Sequence, residues 1–282
     1  MNGIEVKNVS KSYGPVKALE DVSLTFEGNK IYGLLGRNGA GKTTLLNIIT
    51  NRIIEDSGEV LIDGEGHKGN DSALGKLYMM GESNLYPESM KIKDVFKWTE
   101  TFYPQFDQEY AEKTAEMFGL SLKKKTNALS TGYNSIFKLI LALSVNAPYV
   151  FFDEPVLGLD ANHRELFYKL LLEKYAERPF TAVISTHLIE EVSGIIEDVI
   201  IIKSGRVIRN ESCEELLSKG YTVSGTAAKV DSFIKDKQVI GTDALGGLKT
   251  AYILGKAEES LPEGLEMTRL DLQKLFIQLT NE

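Results

Sequence analysis

Cysteine is almost absent from this sequence, which has Cys213 alone among 282 residues. A lone thiol cannot form an internal disulfide, and such scarcity is typical of proteins kept in a reducing compartment. Because Cys213 falls near a predicted helix start, we interpret it as a small structural residue rather than a reactive thiol.

Long apolar runs are also lacking. Runs such as Val199–Ile202 are far shorter than the roughly 20 residues needed to span a bilayer. No basic segment followed by an apolar one opens the sequence, so we expect no secretory signal. Any association with a membrane is therefore expected to depend on a partner protein.

Positive charge is in deficit as well. Lys and Arg together number 32 against 40 Asp and Glu, which gives a net charge of −8. A general nucleic-acid binder needs a basic field to displace counterions, so we expect no nucleic-acid partner. The length and the 43% hydrophobic content suit one large α/β domain with room for a smaller one.

One short stretch carries a strong ligand signal. Gly36–Thr44 matches the phosphate-loop pattern G-x-x-x-x-G-K-[ST], and it lies between a predicted buried strand, Ile31–Leu35, and a predicted helix that opens with Leu45–Ile49. Glycine-rich turns and helix N-termini bind phosphate through backbone N–H groups. We expect Lys42 to reach the β- and γ-phosphates of a nucleoside triphosphate and Thr43 to hold Mg²⁺. The predicted binding residues are Gly36, Arg37, Asn38, Gly39, Ala40, Gly41, Lys42, Thr43 and Thr44.

The rest of the chain predicts an α/β fold. Alternating apolar residues before Ile31 predict an antiparallel pair, and about residues 91–145 show helical spacing with Val95, Phe96 and Phe102 among the apolar positions. The last sixty or so residues, rich in glycine between short alternating strands, predict a small α+β appendage. Continuous apolar runs predict parallel strands covered by helices; they are Leu77–Met80, Tyr149–Phe152, Thr181–Ile184 and Val199–Ile202.

Two carboxylates follow one of these strands. In a phosphate-loop protein, an acid at the end of a neighbouring parallel strand lies beside the Mg²⁺, which we predict for Asp153. Glu154 then faces the space beyond the γ-phosphate, where a general base polarises the attacking water. Without the phosphate loop, a strand that ends in two solvated acids is the simpler interpretation.

Three further positions each allow two interpretations. The stretch Ser130–Tyr133 before a helix is either a second phosphate site or an ordinary N-cap, and from the residues alone the cap is favoured. His187 follows a strand at the ligand-binding edge of the predicted sheet, where a donor to the γ-phosphate is favoured over a structural histidine. Tyr13 either stacks on a nucleobase or covers a sheet edge.

In this order, the motifs resemble the ATPase subunit of ATP-binding cassette (ABC) transporters over roughly residues 1–215. The resemblance implies the P-loop ABC ATPase fold, with a RecA-like parallel sheet, an antiparallel β subdomain and a helical subdomain at about 85–147. It implies that Tyr13 is the adenine-stacking residue of the A-loop, that His187 is the switch histidine and that Asp160 is part of the D-loop. Ser130, Thr131, Gly132 and Tyr133 become the signature motif.

The same resemblance implies a dimer that binds two ATP molecules, with each signature motif contacting the nucleotide of its partner. Two features depart from the family pattern: Thr131 and Tyr133 replace a glycine and the glutamine of Leu-Ser-Gly-Gly-Gln. The expected glutamine near Gly81, a Mg²⁺ ligand in the family, is missing. Glu82 is a candidate replacement as a metal ligand.

The remaining sequence, with an appendage at 216–282, resembles single-cassette subunits of type-two bacterial exporters, nearest to a Gram-positive group that exports or confers resistance to antimicrobial peptides. We therefore expect ATP hydrolysis that powers an exporter, in a homodimer or heterodimer docked to separate transmembrane permease subunits at the cytoplasmic face of the membrane. Two alternatives remain: an ABC ATPase acting on ribosomes or nucleic acid, and a non-hydrolysing regulatory cassette.

Overall fold

The computed structural model describes residues 2–83, 85–257 and 260–280. Its strands are β1 Gly3–Tyr13, β2 Val16–Glu27, β3 Ile31–Leu35, β4 Ser57–Ile62, β5 Glu65–Gly66, β6 Leu77–Met80, β7 Tyr149–Asp153, β8 Thr181–Thr186, β9 Asp198–Lys203, β10 Arg206–Ser212, β11 Gly220–Thr226, β12 Gln238–Leu245, β13 Leu248–Leu254 and β14 Leu265–Arg269. Its helices are α1 Lys42–Ile49, α2 Asp71–Leu74, α3 Ile92–Phe102, α4 Gln108–Met117, α5 Thr131–Ser144, α6 Ala161–Glu177, α7 Ile189–Val192, α8 Cys213–Ser218, α9 Ala227–Phe233 and α10 Leu272–Thr280.

The central sheet has the strand order β10-β9-β3-β8-β7-β6. All its neighbouring pairs are parallel except β9 with β10. Successive side chains of β3 enter opposite cores, with Ile31 and Leu35 on one face and Tyr32 and Leu34 on the other. Strands buried on both faces read as continuous apolar runs, so the predicted parallel α/β sheet is confirmed.

The opening strands form an antiparallel sheet with the order β2-β1-β4-β5. Ile4 pairs with Phe26 and Val6 with Leu24, as the alternating pattern predicts. Their side chains share a core with helix α1, which therefore lies between the antiparallel sheet and the central sheet. This packing fixes the helix that follows the phosphate loop.

Helices α3, α4 and α5 form a unit beside strand β6. Val95, Phe96 and Phe118 are buried in its core. The prediction that Phe102 shares this apolar face is wrong, since its side chain is 66% exposed. Phe102 lies about two turns after buried Val95, but it is the last residue of α3 and its ring packs against the partly exposed Trp98 rather than in the core.

The chain after α8 forms a third sheet with the order β12-β13-β11-β14. Strand β13 pairs antiparallel with both β11 and β12, so β11–α9–β12 is a split βαβ unit. Part of this region shares the main core of the molecule: Leu272, Leu275 and Phe276 of α10 pack in the same cluster as Ile189 and Val192 of α7. Within the described ranges, none of the helices combines the length and the apolar content that a bilayer crossing requires.

Candidate active site

The carboxyl ends of β3, β7, β8 and β6 meet at one edge of the parallel sheet, where α/β proteins bind ligands. An open cavity of about 510 Å³ lies at this edge. It brings together the predicted loop residues 38–44, Glu154, His187, Tyr13 and Glu82. Val16, Ala18 and Leu157 complete the lining, and the sequence had not marked them.

The phosphate loop depends on its glycines. A Cβ on Gly41 would lie 2.5 Å from Ala18 O, and one on Gly36 would lie 2.8 Å from Ile202 O. Gly41 also has a φ of 111°, which side-chain-bearing residues rarely adopt. Helix α1 begins directly after Gly41 with no side-chain cap, so its first N–H groups face the cavity edge and suit an anion.

Lys42 is buried at the base of this loop. Its Nζ donates to Gly36 O at 2.7 Å and lies 3.8 Å from Glu154 Oε1. Burial lowers the pKa of the ammonium, and the negative charges of Glu154 and Asp153 oppose that shift. A cation held among carboxylates at this position is ready to neutralise the charge of phosphate oxygens.

Asp153 is the buried acid of the site. Thr43 Oγ1 donates to Asp153 Oδ2 at 2.7 Å, and Ser185 Oγ donates to Asp153 Oδ1 at 2.7 Å. Sequence reasoning missed Ser185, although a small hydroxyl residue two positions before His187 on the neighbouring strand was a usable signal.

The pair Thr43 and Asp153 fits Mg²⁺. Hydroxyl and carboxylate oxygens are hard donors, and Mg²⁺ at nucleotide sites takes only one or two protein ligands beside phosphates and water. In the part of the chain that the structure describes, no group of three or more His, Cys, Asp and Glu could form a metal cage of its own. Glu82 enters the same cavity from the end of β6.

Glu154 and His187 are in direct contact. His187 Nδ1 lies 3.0 Å from both carboxylate oxygens of Glu154, and Thr186 Oγ1 donates to Oε2 at 3.4 Å. The Glu154 N–H donates to Ser185 O at 2.8 Å, which places the acid just beyond the end of β7. The arrangement suits an acid that polarises water, oriented by a histidine on the next strand.

Tyr13 lies at the rim of the cavity with a 47% exposed side chain. The ammonium of Lys11 is 5.8 Å from its ring centroid. One face of an exposed ring beside a phosphate loop is available for stacking on a base.

The signature residues do not line this cavity. Ser130 caps α5, with Oγ accepting from the Tyr133 N–H at 3.4 Å, which is the capping interaction that the residues alone favoured. A Cβ on Gly132 would lie 2.8 Å from Gly158 O, so the turn packs closely on the segment that leads to Asp160. Asp160 caps α6 through His163 N, and this backbone hydrogen bond lowers the pKa of its carboxyl.

Comparison with known proteins adds independent findings. The sequence profile of the family described as ABC transporter matches residues 19–157. The chain is 29% identical over 257 residues to the ABC transporter ATP-binding protein YtrB of Bacillus subtilis (strain 168), covering 91% of this chain and 88% of the relative. It is 31% identical to the petrobactin import ATP-binding protein YclP of the same organism, over 76% of this chain and 88% of the relative.

Among solved structures, a dimeric ATP-binding cassette in a post-hydrolysis state bound to ADP and Pi superimposes with a TM-score of 0.66. Its sequence is 26% identical, and the match covers 74% of this chain and 98% of that chain.

Proposed function

The chain belongs to the family of ABC transporter ATP-binding proteins, and we propose that it powers the export of peptides or other antimicrobial compounds. Family membership makes it an ATPase that uses ATP and Mg²⁺, pairs with a second cassette and serves membrane subunits of a transporter.

The observation that carries the proposed chemistry is the contact of Glu154 with His187 at the end of the phosphate-loop cavity. In the proposed reaction Glu154 accepts a proton from the attacking water, the water oxygen bonds to the γ-phosphorus, and the bond to the β-phosphate oxygen breaks to release ADP. His187 orients Glu154 and donates to the γ-phosphate. Lys42 neutralises the β- and γ-phosphates.

Thr43 and Asp153 hold Mg²⁺ in this proposal, with Glu82 as a further candidate ligand. The ion, when bound, offsets the negative charge that gathers on the phosphates. Ser185 keeps the Asp153 carboxylate oriented toward Thr43 through its 2.7 Å hydrogen bond. Tyr13 stacks on the adenine, and the backbone of residues 36–44 binds the phosphates.

A second cassette completes the proposed site. Ser130, Thr131, Gly132 and Tyr133 lie outside the cavity of their own chain, so in this proposal they contact the nucleotide of a partner subunit. Asp160 joins that interface from the neighbouring segment, because Gly158 packs against Gly132. The partner is a second copy or a similar subunit.

The helical unit offers a surface for the membrane subunits. Leu85, Trp98 and Phe102 are 64%, 39% and 66% exposed, and Tyr86 packs edge-on to Trp98. Exposed apolar groups on one unit mark interaction sites. We propose that a permease docks here and holds the cassette at the cytoplasmic face of the membrane.

We propose residues 1–215 as the ATPase domain, with the helical subdomain at about 85–147, and 216–282 as an accessory domain. The alignment with YtrB covers 91% of the chain, so the residues that it leaves out are fewer than those of the accessory region. The likeness to YtrB therefore reaches into the accessory region. The alignment with YclP covers only 76% of the chain.

Transport by the reconstituted complex tests the proposal. The chain, purified together with its membrane subunits, is placed in vesicles with the cassette facing outward. ATP-dependent accumulation of a labelled amphipathic peptide inside these vesicles is the expected result, and Glu154→Gln is the control. ATP-dependent loss of preloaded peptide identifies an importer, and co-sedimentation with ribosomes without a permease identifies the other alternative.

A further inference from the structure

Two basic side chains hold the segment that leaves strand β6 at the nucleotide cavity. Arg52 Nη2 donates to Met79 O at 3.1 Å. Lys138 Nζ donates to Gly81 O at 2.9 Å and also donates to Glu82 O. The backbone carbonyls at the end of β6 and just beyond it are therefore fixed by charged donors, which make stronger hydrogen bonds than neutral ones.

The two cations come from different parts of the molecule. Arg52 follows α1, the helix that begins with Lys42 of the phosphate loop. Lys138 belongs to α5, the helix that begins at the Ser130 cap, and it lies about two turns along the helix from Ser130. The end of β6 is thus attached to the residues that follow α1, and the first two residues beyond the strand are attached to α5, the signature helix.

Glu82 lines the nucleotide cavity, while its own carbonyl oxygen accepts from Lys138. Lys138 is half-buried, and burial lowers the pKa of its ammonium while the charge of Glu82 opposes that shift. An ammonium at a partly buried site loses part of its hydration. The two carbonyl oxygens replace the lost water as hydrogen-bond acceptors and hold the Lys138 ammonium in place.

We propose that Lys138 is a positioning residue that joins the Glu82 segment to helix α5, so that nucleotide and Mg²⁺ at the cavity set the orientation of the Ser130–Gly132 turn. The segment holds no glutamine, and a lysine that reaches it from α5 supplies a direct connection between the two subdomains. This inference rests on the proposed function, because only a cassette that closes on a partner uses the turn for hydrolysis.

The test compares the full-length variants Lys138→Met and Lys138→Arg, with Lys113→Met as the matched control, an exposed lysine on α4 of the same helical unit. For Lys138→Met we expect turnover about tenfold lower, from the loss of charge-assisted hydrogen bonds, and a higher Mg²⁺ concentration for half-maximal rate. Binding of a fluorescent ATP analogue to the monomer stays within about twofold, because Lys42 and its loop are untouched. Lys138→Arg keeps most of the turnover.

A second measurement separates this inference from the proposed function. In the Glu154→Gln background, ATP-driven dimerisation is followed by size-exclusion chromatography with and without Lys138→Met. Weaker dimerisation of the double variant supports the link through Lys138. If Glu154→Gln alone stays monomeric with ATP, the proposed pairing of two identical copies fails, and the role of Lys138 is then judged by turnover and Mg²⁺ dependence.

If both dimerise equally and Lys138→Met turns over ATP at the parental rate with the parental Mg²⁺ dependence, only the role of Lys138 fails. Equal losses of turnover and monomer nucleotide affinity, with a lowered melting temperature, also overturn it, since they indicate a purely structural residue. Should Lys138→Met not fold, Lys138→Gln is judged by the same criteria.

Discussion

At the scale of single residues, Glu154 combines an unusual backbone with a functional contact. Its φ is 49°, a left-handed conformation that costs energy for any residue with a Cβ. The hydrogen bond from its N–H to Ser185 O holds the backbone in place, and His187 holds the carboxylate. Strain of this kind persists where surrounding contacts fix it, which is consistent with an acid kept in one orientation.

Glu154→Gln tests the proton acceptor. The amide keeps the size of the side chain but cannot take a proton, so we expect ATP turnover to fall at least about 100-fold. ATP binding is retained, and the unhydrolysed nucleotide traps a closed dimer visible by size-exclusion chromatography. Turnover at the parental rate would show that another group activates water.

Lys42→Ala tests the phosphate contact. Removal of a charged donor to the β- and γ-phosphates is expected to weaken ATP affinity at least about tenfold. Isothermal titration calorimetry measures the change, with Lys169→Ala on the exposed face of α6 as the control for charge loss. Unchanged affinity would contradict the assigned role of Lys42.

At the scale of elements, the turn that begins α5 and the segment before α6 form one packed unit. A Cβ on Gly132 would meet Gly158 O at 2.8 Å, a backbone atom that cannot move aside as a flexible side chain can. The Thr131 side chain also lies next to Gly158. We therefore expect a movement of α5 to shift the segment that leads to Asp160 at the start of α6.

Gly132→Ala is predicted to displace this turn. We expect turnover to fall at least about tenfold, while the monomer binds ATP with parental affinity because its own cavity is unchanged. Gly194→Ala is the matched control, since a Cβ there has no heavy atom within 4 Å. Parental turnover of Gly132→Ala would argue against a role of the turn in hydrolysis.

At the scale of the whole molecule, the last sheet and α10 are joined to the ATPase core by a shared apolar cluster. Leu275 and Phe276 pack with Ile189 and Val192 of α7, the helix that follows His187. Thr280, at the end of α10, lines a cavity of about 280 Å³ together with Arg37–Ala40 of the phosphate loop. The accessory region thus packs against α7 and faces the phosphate loop across this cavity.

Cooperative unfolding follows from this shared core. We expect a single thermal transition for the whole chain, and Phe276→Ala to lower the free energy of unfolding by about 3 kcal/mol through a buried cavity. Leu248→Ala, on a side chain 61% exposed, is expected to have no effect. A separate early transition in calorimetry would show instead that the last sheet unfolds independently.

Local patterns carried a large part of the fold and of the site. The phosphate loop, the strand that ends in Asp153 and the strand before His187 were predicted because each depends on a few consecutive residues. Parallel strands deliver their carboxyl ends to one edge, so the sequence order alone placed Glu154 near Lys42. The confirmed family follows from the same motifs.

Only the tertiary structure decided which distant residues touch. The hydrogen bond from Ser185 to Asp153 joins residues 32 positions apart. The hydrogen bonds from Lys138 to Gly81 and Glu82 join residues 57 and 56 positions apart, and no short-range periodicity encodes such contacts. The exposure of Phe102 and the packing of α10 on α7 depend likewise on how finished elements meet. Sequence alone determined the chemical groups and the sheet edge that presents them, because those are local properties, whereas strand register and helix packing decided how the groups are held together.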